Sequence, residues 1–212
     1  MFRQITPLSL FATPVYAQEL PPDAASALDS ELSAAADELG AGAAPGPLWR
    51  SHHDLHRRVG FGGLAALLME ASLRILAQMR SVQQEPAITA LWATREAPGA
   101  SLPTQLQQNA YLGALYLARG NGEDRVRFLD PRPQAHLIAG PTSAPTATTS
   151  PDATLPLKPG RLLLFPAWFW HMTLPNPGPA PRLLFHAAVS FAGFVEAMSV
   201  PRWSGPNAEQ QS

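Results

Sequence analysis

LKPGRLLLFPAWFWHMTLPN, residues 157–176, is the stretch on which the reading of this chain turns. Pro159-Gly160 is a turn pair, and it leads into an unbroken apolar run from Leu162 to Phe165 that Pro166 closes. A run this short, bounded by turn residues, reads as a buried strand. The aromatic trio Trp168, Phe169 and Trp170 then delivers His171 ahead of a Pro175-Asn176 turn, and eleven residues after His171, Arg182 opens the next apolar segment. On two antiparallel strands both side chains can share one inner face. A neutral imidazole beside a guanidinium in a half-closed β-cavity suits a metal together with a carboxylate-bearing cosubstrate. The alternative is a buried histidine bonded to backbone, beside an arginine that caps the sheet.

Working outward, short apolar segments alternate with turns at Ile88–Thr94, Tyr111–Ala118, Val126–Leu129, His136–Ile138, Arg161–Phe165, Phe169–Leu174 and Leu183–Phe191. Strands at this spacing predict a sandwich or barrel. Upstream, Asp23 can cap a helix that places Leu28, Leu32, Ala35 and Leu39 on one face and stops at Gly40. A second helix, from about Phe61 to Val82, is apolar on more than one side and should lie against a sheet. Leu10 to Tyr16 reads as a first strand, in preference to a cleaved secretory leader, because Ser9, Thr13 and Pro14 break its apolar stretch. Residues 140–152 form a low-complexity loop without core formers, and the tail beyond Arg202 (Trp203-Ser-Gly-Pro-Asn-Ala-Glu-Gln-Gln-Ser) reads as frayed. The expected organisation is mainly β with N-terminal helices in a single α+β domain. Residues 1–86 would carry the strand and two helices, 87–200 the β-body, and 201–212 a flexible tail.

Composition narrows the function. The 212 residues are 46% hydrophobic and only 15% charged, with 15 Lys+Arg against 16 Asp+Glu and a net charge of −1. That balance argues against nucleic acid as a partner, since counterion release needs clustered cations. No apolar run reaches the ~18 residues of a membrane span, and a cytoplasmic location is expected. The absence of Cys removes disulfides, thiolate metal sites, iron–sulfur clusters and a thiol nucleophile. There is no Gly-x-Ser-x-Gly elbow, and Gly60-Phe61-Gly62-Gly63 lacks the Lys-Ser/Thr ending of a phosphate loop.

The segments LFATPVYAQEL (10–20), LWRSHHDLH (48–56), LWAT (91–94), PGASLPTQLQQNAYLGALYL (98–117), RFLDPR (127–132) and PLKPGRLLLFPAWFWHMTLPN (156–176) occur together in that order. In this the chain resembles a bacterial and phage family of 2-oxoglutarate/Fe(II) oxygenases over roughly Leu10 to Phe191. The resemblance implies a double-stranded β-helix, a jelly roll with helices outside. It implies that His171 matches the family's distal iron-binding histidine. It also implies that Arg182 matches the residue that pairs with the far carboxylate of 2-oxoglutarate, with Tyr116 beside the cosubstrate. Trp92, Trp168, Trp170 and His186 would line the substrate pocket.

The departures weigh more. Where the family supplies its first two ligands as His-x-His, counting from Trp92 and Pro98-Gly99 and pinned downstream by Gly113 and Tyr116, this chain has Gln105 and Gln107. A carboxamide oxygen is a neutral, hard donor better suited to calcium than to iron(II). The position two after Arg182, often Ser in the family, is Leu184. The expectation is therefore a pseudo-oxygenase acting as a binding or partner protein, with no residue assigned as catalytic. Its ligand would be a small molecule or peptide, and its partner an enzyme or a second copy of the chain. The alternative is an active dioxygenase holding Fe(II) and 2-oxoglutarate, hydroxylating an unidentified substrate and drawing on His186 or His136. His52, His53 and His56 are the other histidines, and a solvated cluster is their expected fate.

Overall fold

The computed structural model describes residues 12–80, 85–107, 110–132, 143–144 and 150–191. Among these residues nine strands are formed: β1 (Tyr16–Glu19), β2 (Leu48–Arg50), β3 (Pro86–Glu96), β4 (Leu112–Arg119), β5 (Arg125–Leu129), β6 (Asp152–Pro156), β7 (Arg161–Pro166), β8 (His171–Thr173) and β9 (Arg182–Phe191). Two helices, α1 (Pro22–Leu39) and α2 (Gly62–Gln78), precede the long strands. The larger sheet runs β1-β7-β4-β9-β3-β2 and the smaller β6-β5-β8, with antiparallel pairing throughout. Gln105 adds an antiparallel bridge to His171 on the free side of β8.

Why the large sheet is apolar on both faces follows from what covers each. Alternate residues Leu112, Ala114 and Tyr116 of β4, Leu162 and Leu164 of β7, and Leu183 and Phe185 of β9 meet Leu28 and Leu32 of α1 and Leu64 and Leu68 of α2. The intervening Leu115, Leu117, Leu163, Phe165 and Leu184 face Val126 and Phe128 of the smaller sheet. Two sheets thus close around an inner core with helices on one outer wall, the jelly-roll cup expected from the sequence.

The helices differ in detail from the reading above. Asp23 lies in the first turn of α1 and does not cap it; Pro21 stands at the cap position, with Pro22 at the first helical residue, where its missing N–H costs nothing. The buried face is Ala25, Leu28, Leu32 and Ala36, so it is rotated away from Ala35 and Leu39, and Leu39 is exposed. The α2 helix stops at Gln78 and buries one stripe, Leu64, Leu68, Ala71, Ser72 and Ile75, leaving Leu73 and Met79 in solvent. It does pack on the sheet, through β3.

Two glycines are needed where they stand. Gly160 turns the chain into β7 with φ +75°, and a Cβ there would come within 2.7 Å of Ala25 Cβ. Gly113 lets the Phe165 ring lie flat on β4, where a Cβ would meet that ring at 2.7 Å. The first strand is Tyr16–Glu19 and not Leu10–Tyr16 within the described residues, and it pairs with β7, where Arg161 and Glu19 form an ion pair. The reading missed β2 and β6, and the segment His136–Ile138 lies outside the described residues. No described helix is long and apolar enough to cross a membrane.

Candidate functional site

His171 enters the cup from β8, opposite Phe128 on one side and Gln105 on the other. The Gln105 N–H donates to the His171 carbonyl at 2.8 Å and the His171 N–H donates back at 3.0 Å. Residues opposed in this way project to one face of the sheet. Gln105 therefore lies on the same side as the imidazole, at the position where the resemblance puts a first ligand. Gln107, two residues on, is buried, with its backbone N–H bonded to Ala167 and its Nε2 without a partner.

The state of His171 is defined by its neighbours. Nδ1 lies 3.0 Å from the Phe169 carbonyl. A carbonyl only accepts, so Nδ1 carries the proton and Nε2 presents a bare lone pair. Burial lowers the pKa and keeps the ring neutral. That lone pair is enclosed without a hydrogen-bond partner. Around it the Phe165 ring centroid stands 4.7 Å away and that of Phe128 5.9 Å. The aromatic run thus splits by parity: Phe169 is buried with Phe128, whereas Trp168 and Trp170 are 53% and 44% exposed on the β7–β8 turn. Both tryptophans, offered by the sequence reading as lining of a substrate pocket, thus stand at the rim of the cup and not in its core.

Arg182, on β9, is fully buried and already engaged. Nη2 donates to Glu96 Oε2 at 2.6 Å and to the Leu174 carbonyl at 2.8 Å, and Nη1 donates to Asp124 Oδ1 at 3.0 Å; both carboxylates are fully buried too. Glu96 also accepts from Thr173 Oγ1 at 2.8 Å, and Asp124 from the Asn121 N–H at 2.8 Å. A ligand carboxylate that displaced Glu96 or Asp124 from this guanidinium would strand a buried carboxylate. Breaking a buried ion pair in that way costs about 3–5 kcal/mol. Leu184, packed in the inner core, offers no hydroxyl in compensation.

Tyr116 is corrected outright. It belongs to the helix-side core, and its hydroxyl donates to Asp29 of α1 at 2.7 Å, on the wall opposite the cup. Its parity in β4 excludes contact with a cosubstrate beside Arg182. His186 shares the inner face with Arg182, as four residues' spacing on a strand requires. It is fully buried, shares a 3.0 Å hydrogen bond with Thr94 Oγ1, and stacks on Trp92 at 5.2 Å. His53, itself exposed, stacks on Trp92 as well, at 4.6 Å, so one of the three upstream histidines reaches the rim of the site, while His52 is exposed and His56 half-buried. His136 lies outside the described residues. Sequence reasoning missed Glu96 and Asp124, whose only signal is their long-range pairing with Arg182.

These residues do not fit an iron(II) facial set. One imidazole and two carboxamides supply a single strong donor, and among the described residues no group of three or more His, Cys, Asp or Glu could hold a metal. The guanidinium that would take a 2-oxoglutarate carboxylate is engaged by Glu96 and Asp124 through Nη2 and Nη1, while its buried Nε has no partner.

Comparisons with known proteins place this cup. The model of a family described as "Putative 2OG-Fe(II) oxygenase" matches residues 90–190. Among solved structures, the non-heme alpha ketoglutarate dependent epimerase SnoN from nogalamycin biosynthesis superposes with a TM-score of 0.58 at 15% identity, over 85% of this chain and 79% of that one. A Pseudomonas putida prolyl-4-hydroxylase gives 0.56 at 14%, over 84% and 93%. HygX from Streptomyces hygroscopicus, solved with nickel and 2-oxoglutarate bound, gives 0.55 at 15%, over 85% and 83%. At such identities the likeness is one of fold. No curated protein matches the chain. Residues 90–190 thus match the model of that oxygenase family, and the fold they belong to is similar to that of these solved enzymes.

Proposed function

We propose that this chain keeps the cup of the oxygenases and uses it for binding, as a pseudo-oxygenase that acts on its own ligand or alongside a partner enzyme. The observation that carries this is the occupation of Arg182 by two buried carboxylates of the same chain. The pairing of Gln105 with His171 supports it, because the ligand position faces the site but holds an amide. The Phe128 and Phe165 rings beside His171 support it further, since they leave that imidazole in apolar company.

The test is the metal content of the purified protein together with turnover of 2-oxoglutarate to succinate. The expected result is substoichiometric iron and no succinate above a protein-free control. Stoichiometric iron, with succinate formation abolished by His171→Ala, would overturn the proposal in favour of a second reading, an active 2-oxoglutarate-dependent dioxygenase. Two observations favour that second reading: the free Nε2 lone pair of His171, and the iron or nickel and 2-oxoglutarate held by structures of similar fold.

A further inference from the structure

A row of rings crosses the inner face beside the Arg182 network. His53, Trp92 and His186 stack in order, with interplanar angles of 20° and 8°. Arg50 pairs with Thr94 across β2 and β3 and so projects to the same face as Trp92. Its guanidinium carbon lies 4.8 Å from the centroid of the Trp92 ring. That ring is the sole partner the described residues give it: Arg50 makes no ion pair and no hydrogen bond among them. Desolvation acts on the guanidinium and lowers its pKa, with no acid alongside to offset it.

The surroundings carry one sign of charge. Arg50 and His52 both bear on His53, and Arg50, Arg182, His53 and His171 bear on His186, each disfavouring a further positive charge. The acids of the neighbourhood are committed elsewhere, Asp54 to Arg58 and Glu96 and Asp124 to Arg182. Two buried polar atoms of the stack, Trp92 Nε1 and His186 Nδ1, have no partner.

We propose that Arg50, backed by the Trp92 face and flanked by His53, is a binding site for the oxyanion group, carboxylate or phosphate, of a small ligand. A guanidinium held over an indole keeps its in-plane N–H edge free, which is the geometry for bidentate oxyanion recognition. The aromatic support fixes the fork before the ligand arrives, so less freedom is lost on binding. An incoming anion would also supply the counter-charge that this side of the cup lacks. Arg182, fully buried and paired with two carboxylates of its own chain, is the weaker competitor for it. The site is independent of whether iron binds, so its failure would leave the reading of the previous section untouched.

The experiment is calorimetric titration of the full chain with two separate probes, inorganic phosphate and succinate. The expected result is saturable binding of at least one, and which of the two binds identifies the oxyanion. Charge-assisted hydrogen bonds of this type predict that Arg50→Ala weakens binding at least about tenfold. Arg50→Lys should restore part of the affinity, and His53→Ala should weaken it less than Arg50→Ala. Arg58→Ala, which removes an exposed guanidinium already paired with Asp54, should bind as the parent does. Melting temperatures of the variants within a few degrees of the parent establish that the cup is intact. Absence of saturable binding for both probes, or Arg50→Ala binding with parental affinity, would overturn the assignment.

Discussion

Arg182→Met is the perturbation that most sharply separates the two roles this arginine could have. If the guanidinium awaited a cosubstrate, methionine would fill a similar volume and the apo protein would lose little. In this structure the guanidinium holds Glu96 at 2.6 Å and Asp124 at 3.0 Å, with all three side chains fully buried. Removing it strands two carboxylates in the interior. Loss of one partner from a buried pair costs about 3–5 kcal/mol. The two pairs share one cation and do not add simply, so that range is a lower bound. Against a total stability of about 5–15 kcal/mol, the variant is marginal or unfolded. At about 2–4 °C per kcal/mol for a chain of this size, the melting temperature falls by at least about 6–20 °C. Urea unfolding followed by circular dichroism at pH 7 measures the change. Glu96→Gln and Asp124→Asn, which each keep one carboxylate on Arg182, should cost about 1–3 kcal/mol and give a measurable transition even where Arg182→Met does not fold. A loss below about 1 kcal/mol for Arg182→Met, with an unchanged denaturant slope, would refute the reasoning and return Arg182 to the pool of free anchors.

Gln105→His combined with Gln107→His should create affinity for Co(II), gaining at least about tenfold per imidazole, read as a d–d absorption band that His171→Ala removes; no band would mean that these positions do not face His171. Burial lowers the pKa of His171 and His186 below 6.5, so the unfolded chain binds more protons and stability is full above pH 6.5. It is lost as the pH falls below that value, with a slope of up to about 1.4 kcal/mol per unit for each ring. Urea unfolding at pH 7.0 and 5.5 should show that loss, and equal stabilities would contradict it. Tyr116→Phe removes the donor to a partly buried Asp29 carboxyl, costing about 1–3 kcal/mol. It should leave ligand titrations unchanged, and weakened binding would put the tyrosine back on the cup side.

Much of the fold was legible because turns and short apolar runs are local signals. Pro159-Gly160, the run to Pro166 and the spacing from His171 to Arg182 placed β7, β8 and β9 on the right residues. Short strands with little apolar content escaped: β2 offers only Leu48 and Trp49 ahead of a charged stretch, and β6 is Asp-Ala-Thr-Leu-Pro. Tyr116 was assigned to the wrong side because β4 is buried on both faces, so its residues show no alternation from which a side could be read. His186 escaped that ambiguity because its parity is fixed relative to Arg182 on the same strand. Glu96 and Asp124 were invisible for another reason. They meet Arg182 across 86 and 58 residues of chain, and an isolated acid in a sequence carries no sign that it will be buried.

The hydrogen bond from Tyr116 to Asp29, with the leucines of α1 and α2 against the same wall, bears on how this protein can be handled. The segment that matches the family begins at residue 90, which makes that residue a tempting place to start expression. Such a fragment would present Tyr116, Leu162, Leu164 and Phe185 to water as one continuous greasy plate, an invitation to self-association. The helical prelude is therefore lining as much as it is preface, and trimming it would remove the backing from the vessel.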